Sequence, residues 1–365
     1  MKKQHIPLAA LSLAAFLSTA AAVPYSTKTR ISGAVLTGSE LAAQVIMTGV
    51  DARGLLSEGE KRRLRAVPAG AVMLFKKNLD VSPAEIKKMN AEMSAIIEGA
   101  CGVKPFIAVD HEGGTVHRFG EGVPRLPAPA DYRALAFREG EDAALLRIRQ
   151  DAASSAKILS ALGITMNLAP VAEPLTAENF AFLGTRSYGE DTVFTGKAAL
   201  AFVRGMNGGG ITCVLKHFPG NTGVDPHRAK PEWNIGEAEL YRLTSPFRAI
   251  WAEQPRAPVM VAHTVVSAWD AETNASLSPK VMRMLRGFCA GIILADDFTM
   301  GAAGGKSPEE CAVLSLIAGA DMVMAWPSSL AAVHSAILRA METGRLPRSR
   351  IEDAVRRIMQ TKGYN

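Results

Sequence analysis

A short stretch near the middle of the chain combines four side chains that can move a proton or bind a ligand. Lys216 and His217 follow the apolar run 211–215, and Asp225 and His227 come shortly after them. An aspartate two residues before a histidine can orient the imidazole ring and tune its pKa, so this pair fits a general acid and base. Alone, a loop histidine is more often a solvated surface residue. Together the four residues indicate an enzyme.

Lys216 and His217 can also hold a ligand. Both side chains form charge-assisted hydrogen bonds to hydroxyl groups, and the following Phe218-Pro219-Gly220 predicts a sharp turn. The alternative for Lys216 is an ion pair with an acidic residue of a neighbouring strand. The two roles are compatible.

Asp296-Asp297 ends a second apolar run, at 291–295. A carboxylate directly after a buried strand is well placed to act as a nucleophile. One of the two aspartates can instead cap the following turn or helix, which is common for this residue type. Spacing alone does not decide between these roles.

Carboxylates and arginines elsewhere suit a sugar ligand. Asp110 begins the sequence Asp-His-Glu-Gly-Gly directly after an apolar run, which favours hydrogen bonds to sugar hydroxyls at close backbone approach. Arg118 and Arg186 are candidate ligand-binding guanidinium groups, each with a structural salt bridge as its alternative. The sequence has no phosphate-loop spacing, which argues against a nucleotide. His263 is expected to pack at the rim, and Asp321 to be structural.

Eight apolar runs of strand length alternate with segments of helical periodicity. This alternation predicts an α/β fold, and eight units predict a single-domain TIM-type (β/α)8 barrel. All strand C-termini of such a barrel open on one face, so Asp110, Lys216 and Asp296 should share one rim. The runs are 45–47, 71–75, 106–109, 166–171, 213–215, 259–262, 292–295 and 322–325.

Helix boundaries support the alternation. Ser82 and Ser307 each precede a proline and stand three residues before a glutamate, a pattern that predicts a capped helix start. Gly287 and Gly319 each follow a helical pattern and predict a helix end.

The N-terminus resembles an export signal. Lys2 and Lys3 precede an apolar region that ends in Ala20-Ala21-Ala22, so we expect residues 1–22 to be removed and 23–365 to form the domain. The alternative is an uncleaved membrane anchor. Nothing later is apolar enough to span a membrane. The expected location is the periplasm or the exterior of a bacterial cell.

The composition is that of a globular protein with a large core, since 48% of the 365 residues are hydrophobic and 21% are charged. Without Lys2 and Lys3 the net charge falls from +6 to +4, which predicts no nucleic-acid surface. The four cysteines lack the paired spacing of a zinc site. Cys213 and Cys311 lie in apolar runs and are expected to be buried thiols. The oligomeric state is open, with a monomer favoured.

These motifs resemble glycoside hydrolase family 3, in particular its single-domain β-N-acetylglucosaminidases of the NagZ type. The likeness covers most of the chain after residue 22. It includes Asp110-His-Glu-Gly-Gly with Arg118, Gly184-Thr-Arg-Ser-Tyr, Lys216-His-Phe-Pro-Gly, Asp225-Pro-His227, Met260-Val-Ala-His263, Asp296-Asp297 and Ala318-Gly-Ala-Asp321.

The resemblance implies a retaining hydrolysis with a covalent glycosyl-enzyme. By this matching Asp296 attacks the anomeric carbon, and His227, paired with Asp225, protonates the leaving oxygen. It implies neither a metal nor an organic cofactor. The residues that would hold the terminal N-acetylglucosamine are Asp110, Arg118, Arg186, Lys216 and His217.

Three positions depart from the family pattern. Asn221-Thr222-Gly223 stands where the family often has His-Gly, Thr115 replaces a common arginine, and Glu173 stands where aspartate is frequent. These departures bear on substrate preference more than on reaction type.

The implied function is that of an exported exo-acting β-N-acetylglucosaminidase for peptidoglycan fragments or chitooligosaccharides, with hydrolysis or phosphorolysis open. One alternative is a β-glucosidase or β-xylosidase of the same family, although such enzymes typically take their acid from a second domain. Another is an inactive exported glycan-binding protein.

Overall fold

The computed structural model describes residues 28–224, 231–299 and 305–364. The predicted export signal, 1–22, lies outside these ranges. Of the described helices, none is long and apolar enough to cross a bilayer.

Short parallel strands form the centre of the molecule, and every residue of β3, β4 and β5 is buried. The strands of the described residues are β1 Thr29–Ile31, β2 Ala34–Leu36, β3 Ile46–Gly49, β4 Ala71–Leu74, β5 Phe106–Val109, β6 Met166–Asn167, β7 Thr212–Cys213, β8 Leu215–Phe218, β9 Glu232–Trp233, β10 Val259–Val261, β11 Val265–Val266, β12 Ile293–Ala295 and β13 Val323–Ala325.

The central strands close into a barrel. One sheet has the order β13-β3-β4-β5-β6-β7 and the other β12-β10-β8, with parallel pairing throughout. Parallel bridges between Val171 and Lys216 and between Leu294 and Met322 join the two sheets on both sides. Because β7 and β8 are successive parts of one chain segment, the ring has eight positions. The predicted (β/α)8 barrel is confirmed.

Helices cover the barrel and connect its strands. Those of the described residues are α1 Gly38–Gln44, α2 Glu58–Ala66, α3 Lys76–Leu79, α4 Pro83–Cys101, α5 Pro129–Glu139, α6 Glu141–Ala161, α7 Phe180–Leu183, α8 Thr192–Gly208, α9 Glu237–Leu243, α10 Ser245–Glu253, α11 Pro279–Arg286, α12 Pro308–Ala318, α13 Leu330–Glu342 and α14 Arg348–Thr361.

The helix boundaries agree with the sequence signals. Ser82 and Ser307 each accept a hydrogen bond from the backbone N–H three residues later, at the starts of α4 and α12. Gly287 and Gly319 follow the last residues of α11 and α12. All four predictions are confirmed.

The predicted boundary of the strand that precedes Lys216 is wrong. We expected the strand after residue 211 to end at Leu215, but β8 continues to Phe218 and includes Lys216 and His217. The lysine does not end the strand because acidic residues of neighbouring elements compensate its charge inside the barrel. The peptide bonds Lys216–His217 and Phe218–Pro219 are cis.

A small satellite structure lies outside the barrel. Strands β9 and β11 pair in parallel, and Trp233 packs with Leu240, Leu243 and Val266 in a separate apolar cluster. This cluster fixes the part of the chain around β9 and α9.

The cysteines are buried thiols. Cys101, Cys213, Cys289 and Cys311 are all buried, and none forms a disulfide. Burial raises the pKa of the Cys289 thiol to about 12. The expectation for Cys213 and Cys311 is therefore confirmed.

Candidate active site

The C-terminal ends of the barrel strands surround a cavity of about 290 Å³. Phe75, Phe182 and Trp326 contribute aromatic walls, and Met73, Met260 and Met324 are also in its lining. Six predicted site residues line the same cavity: Asp110, Arg118, Arg186, Lys216, His217 and Asp296.

An alternating chain of charges forms one side of the cavity. Lys216 Nζ lies 2.7 Å from Asp110 Oδ1 and 2.6 Å from Glu112 Oε1. Arg186 donates two hydrogen bonds of 2.8 Å to the Glu112 carboxylate, and Arg118 Nη2 lies 3.4 Å from Asp110 Oδ2. The salt bridges considered as alternatives for Lys216, Arg118 and Arg186 are thus present, and the ligand-binding roles of these residues stay predictions.

Burial and charge act against each other at Lys216. Burial lowers the pKa of this lysine, but Asp110 and Glu112 raise it, and the net shift is upward. At Glu112 burial raises the pKa, while Lys216 and Arg186 lower it well below the usual range of a glutamate. Both side chains therefore stay ionised at neutral pH.

Glu112 was not among the predicted ligand-binding residues, although it belongs to the Asp110-His-Glu motif. It is 4% exposed and contacts two of the predicted cations. The signal was the second carboxylate of the motif. Its role as the hub between Lys216 and Arg186 could be seen only in three dimensions.

The loop between Asp110 and Glu112 is fixed from β6. The side chain of Asn167 accepts from His111 N–H at 2.9 Å and donates to His111 O at 3.0 Å. This double hydrogen bond places the carboxylates on either side of His111. Asn167 is buried and had no predicted role.

The glycine pair of this motif packs closely against another part of the chain. Gly113 and Gly114 have positive φ angles, of 101° and 55°. A Cβ on Gly114 would lie 2.6 Å from Ala128 Cβ, and one on Gly113 would meet the Pro127 carbonyl. The close backbone approach seen here is to the chain's own segment before α5, and the expected approach of a sugar to this loop stays a prediction.

Asp296 and Asp297 follow β12 and have different contacts. Asp297 accepts from Thr299 N–H and from Trp326 Nε1, each at 2.8 Å, so it caps the turn and anchors a cavity wall. Asp296 Oδ1 accepts from Asp297 N–H at 2.9 Å. Among the described residues Asp296 Oδ2 has no hydrogen-bond partner, which leaves this oxygen for a ligand.

The ring of His217 is held by a residue that sequence reasoning did not assign. Glu173, 1% exposed, lies with Oε1 2.6 Å from His217 Nδ1. The carboxylate accepts a hydrogen from Nδ1, so Nε2 is the ring atom that can meet a ligand. The sequence feature that could have drawn attention to Glu173 is its departure from the family pattern, in which aspartate is frequent at this position.

The remaining candidates divide between buried positions and the undescribed segment. His263 is buried, stacks on Phe298 and has Nε2 2.9 Å from the Asp297 carbonyl oxygen, consistent with a packed rim residue. Asp321 is fully buried at the opposite end of the barrel. Asp225 and His227 lie outside the described residues.

No group of three His, Cys, Asp or Glu side chains suited to a metal ion occurs in the described part of the chain. The polar side chains around the cavity instead bind one another through hydrogen bonds and ion pairs. The described site offers the Asp296 carboxylate together with fixed hydrogen-bond donors and acceptors.

A family model described as "Glycosyl hydrolase family 3 N terminal domain" matches residues 40–361. The chain belongs to glycosyl hydrolase family 3. Among curated relatives, the β-hexosaminidase of Neisseria meningitidis serogroup A is 37% identical over 277 residues, which are 74% of each chain. That of Chromobacterium violaceum is 32% identical over 281 residues, 75% of this chain and 77% of the relative.

Solved structures of the family share the fold. A family 3 β-N-acetylglucosaminidase from Paenibacillus sp. superimposes with a TM-score of 0.82 at 30% identity, over 90% of this chain but only 62% of that chain. NagZ from Neisseria gonorrhoeae, in complex with N-trifluoroacetyl-D-glucosamine, matches with a TM-score of 0.71 at 30% identity, over 88% and 95% of the chains. The predicted family, barrel and enzyme class are confirmed, and the chain is a glycoside hydrolase.

Proposed function

We propose that the chain is an exo-acting, retaining β-N-acetylglucosaminidase that releases terminal N-acetylglucosamine from peptidoglycan fragments or chitooligosaccharides. The observation that carries the proposal is that Asp296 lines the same cavity, of about 290 Å³, as a network of fixed charges. A cavity at the small end of ligand sites suits one sugar residue, as an exo-acting enzyme requires. The names of the Neisseria and Paenibacillus relatives support the same sugar.

Asp296 is the nucleophile of the proposed reaction. Its hydrogen bond from Asp297 N–H orients the carboxylate, and Oδ2 attacks the anomeric carbon. The bond from that carbon to the leaving oxygen breaks as the bond to Asp296 forms. Water then attacks the same carbon and releases the sugar with its original anomeric configuration.

The acid of the first step is His227, oriented by Asp225. The imidazolium gives its proton to the leaving oxygen, and the neutral ring takes a proton from water in the second step. Support for this assignment is the Asp-x-His spacing shortly after β8.

Asp110, Arg118, Arg186, Lys216 and His217 hold the sugar. The ionised network needs little reorganisation on binding because each charge already has a partner. His217 Nε2 accepts from a sugar hydroxyl, while Lys216 donates to one.

The test uses aryl glycosides as substrates. Turnover of 4-nitrophenyl N-acetyl-β-glucosaminide should fall on the order of 10⁴-fold or more in Asp296→Ala. A fluorinated N-acetylglucosaminide with a good leaving group should label the wild-type chain at Asp296, as peptide mass spectrometry would reveal. Turnover of the glucoside alone would favour the β-glucosidase alternative, and binding without turnover the inactive glycan-binding protein.

We also propose export to the periplasm or the cell exterior, supported by the signal-like pattern of residues 1–22. Expression of the full chain in a Gram-negative host, followed by fractionation and intact-mass measurement, tests this. The expected product is a periplasmic or secreted chain that begins near Val23. A cytoplasmic chain of full length would contradict it.

A further inference from the structure

Glu173 is a buried carboxylate beside the cavity that accepts hydrogen bonds from two residues at once. Its Oε1 accepts from His217 N–H at 3.1 Å, from His217 Nδ1 at 2.6 Å and from Asn221 Nδ2 at 3.0 Å. Its Oε2 accepts from Asn221 N–H at 2.5 Å. One carboxylate therefore connects a residue of the cavity to the chain that leaves β8.

The charge of Glu173 fixes the orientation of both partners. Burial raises the pKa of Glu173, but hydrogen bonding and charge interaction with His217, together with backbone N–H groups, lower it below its usual range. An ionised carboxylate can only accept hydrogen bonds. It therefore requires a hydrogen on His217 Nδ1 and turns the amide nitrogen of Asn221 toward itself.

Asn221 stands at the start of the segment that continues to Asp225 and His227. The preceding Gly220 is fixed as well, because its carbonyl accepts from Thr264 Oγ1 at 2.7 Å. A Cβ on Gly220 would lie 2.5 Å from the Trp233 ring, so only glycine fits at its φ of 147°. Gly220 is thus held between the barrel and Trp233, and Asn221 directly after it is held by Glu173.

We propose that Glu173 is the positioning residue for both halves of the reaction, sugar binding through His217 and proton donation through the segment that begins at Asn221. This proposal rests on the proposed function, because the acid role of His227 belongs to it. Glu173 does not itself contact the sugar. It acts through the ring of His217 and through the backbone of Asn221.

The two family departures at these positions are in direct contact. Glu173 stands where the family often has aspartate and Asn221 where it often has histidine, and their side chains share a hydrogen bond of 3.0 Å. A glutamate extends the carboxylate by one carbon–carbon bond, about 1.5 Å, relative to aspartate. In this chain the longer acid and the amide contact each other directly.

The decisive measurement is the dependence of kcat/KM on the leaving group, with aryl N-acetyl-β-glucosaminides of increasing phenol pKa. Protonation of the leaving oxygen matters most when the phenol is a poor leaving group. We expect Glu173→Gln and Asn221→Ala each to lower kcat/KM by about 100-fold for the poorest leaving group and only a few-fold for the best. In the double variant Glu173→Gln/Asn221→Ala, kcat/KM should be only slightly lower than in either single variant.

Three further variants separate positioning from folding. His217→Gln should raise KM with no dependence on the leaving group. Asp321→Asn, a buried carboxylate at the opposite end of the barrel, should lower the melting temperature without changing that dependence. The combined variant Glu173→Asp/Asn221→His should recover activity toward poor leaving groups relative to either of its single substitutions.

The ring of His217 gives a readout that does not need turnover. In ¹⁵N-histidine NMR spectra, assigned with His217→Gln, the wild-type ring should be protonated at Nδ1. Glu173→Gln should shift it toward a mixture of tautomers, and Asp321→Asn should leave it unchanged. An unchanged ring together with a leaving-group-independent loss in Glu173→Gln would overturn the proposal. Absence of N-acetylglucosaminide turnover in the wild type would instead overturn the proposed function.

Discussion

At the scale of single residues, the cavity depends on charges that are ionised although they are nearly excluded from water. Lys216 is 3% exposed and Glu112 is 4% exposed, and each is stabilised by the other and by a further partner. Removal of one partner from a buried ion pair costs about 3–5 kcal/mol because it leaves an uncompensated charge. Binding and stability are therefore coupled at these positions.

Glu112→Gln should lower the free energy of unfolding at pH 7 by about 3 kcal/mol. The pKa of Glu112 is lower in the folded than in the unfolded chain, so its stabilising effect is complete above about 4.3 and is lost as the pH falls further. The difference in the free energy of unfolding between wild type and variant should thus become smaller below that pH. Urea unfolding from pH 3 to pH 7 measures it, and a constant difference would contradict the assigned charge.

His111 is a residue whose protonation the fold opposes. It is fully buried, neither ring nitrogen has a hydrogen-bond partner among the described residues, and burial, together with the charge of His117, lowers its pKa to about 3. The unfolded chain binds a proton near pH 6.5. The contribution of neutral His111 to the free energy of unfolding is therefore fully present above pH 6.5. It is lost as the pH falls toward 3.

His111→Phe should remove this pH dependence and keep the ring contacts with His117 and Phe119, whose centroids lie 5.3 and 5.4 Å away. As the pH falls from 7 to 5, the free energy of unfolding of the variant should rise by about 2 kcal/mol relative to that of the wild type. Thermal unfolding at the two pH values is the measurement. An equal difference at both would show that His111 is already protonated or hydrogen-bonded in the folded protein.

At the scale of elements, the turn after β12 gives two adjacent aspartates different functions. Both aspartates line the cavity, but Asp297 accepts hydrogen bonds from Thr299 and Trp326, whereas Asp296 Oδ2 has no hydrogen-bond partner among the described residues. The hydrogen bond from Thr299 fixes the turn, and the hydrogen bond from Trp326 fixes a wall of the cavity. Asp296, the proposed nucleophile, is therefore positioned by its neighbour Asp297.

Asp297→Asn retains one acceptor oxygen and so keeps only one of these two contacts. We expect about a 10-fold loss of kcat/KM, the equivalent of one hydrogen bond, and a change in tryptophan fluorescence. Asp296→Ala is the comparison, with a loss of at least about 10⁴-fold. Equal losses in the two variants would mean that the roles of the aspartates are not separate.

At the scale of the whole molecule, Asp321 connects helices and strands at the end of the barrel opposite the cavity. Its carboxylate contacts the guanidinium groups of Arg286, Arg350 and Arg357, the latter two at 3.0 Å, and accepts from Ile293 N–H. These contacts bring α11 and α14 to the start of β13. Stability and chemistry therefore lie at opposite ends of the strands, as is usual in this architecture.

Asp321→Ala should leave three arginines around an uncompensated site and lower the free energy of unfolding by about 3–5 kcal/mol. Activity at 20 °C, per folded molecule, should stay near the wild-type value because the cavity is at the other end. Urea unfolding and active-site titration measure the two quantities. A large loss of activity in a fully folded variant would contradict this separation.

Much of the molecule was predictable because its signals are local. Apolar runs predicted each barrel strand, and the serine and glycine signals at α4, α11 and α12 predicted helix ends. The parallel-barrel rule then brought Asp110, Lys216 and Asp296 to one rim. The strand that carries Lys216 was predicted too short, because a buried lysine is stable in a strand only with partners that the local sequence does not show.

The sequence by itself indicated the family through the resemblance of its motifs, the barrel through its periodicity, and several polar residues at the barrel mouth through their positions after apolar runs. Tertiary structure alone decided which of these residues pair. Glu112 meets Arg186 across 74 positions, Lys216 meets Asp110 across 106, and Glu173 meets His217 across 44. Such contacts depend on side-chain rotamers and on the packing of separate loops to within an ångström, and no local pattern encodes that distance.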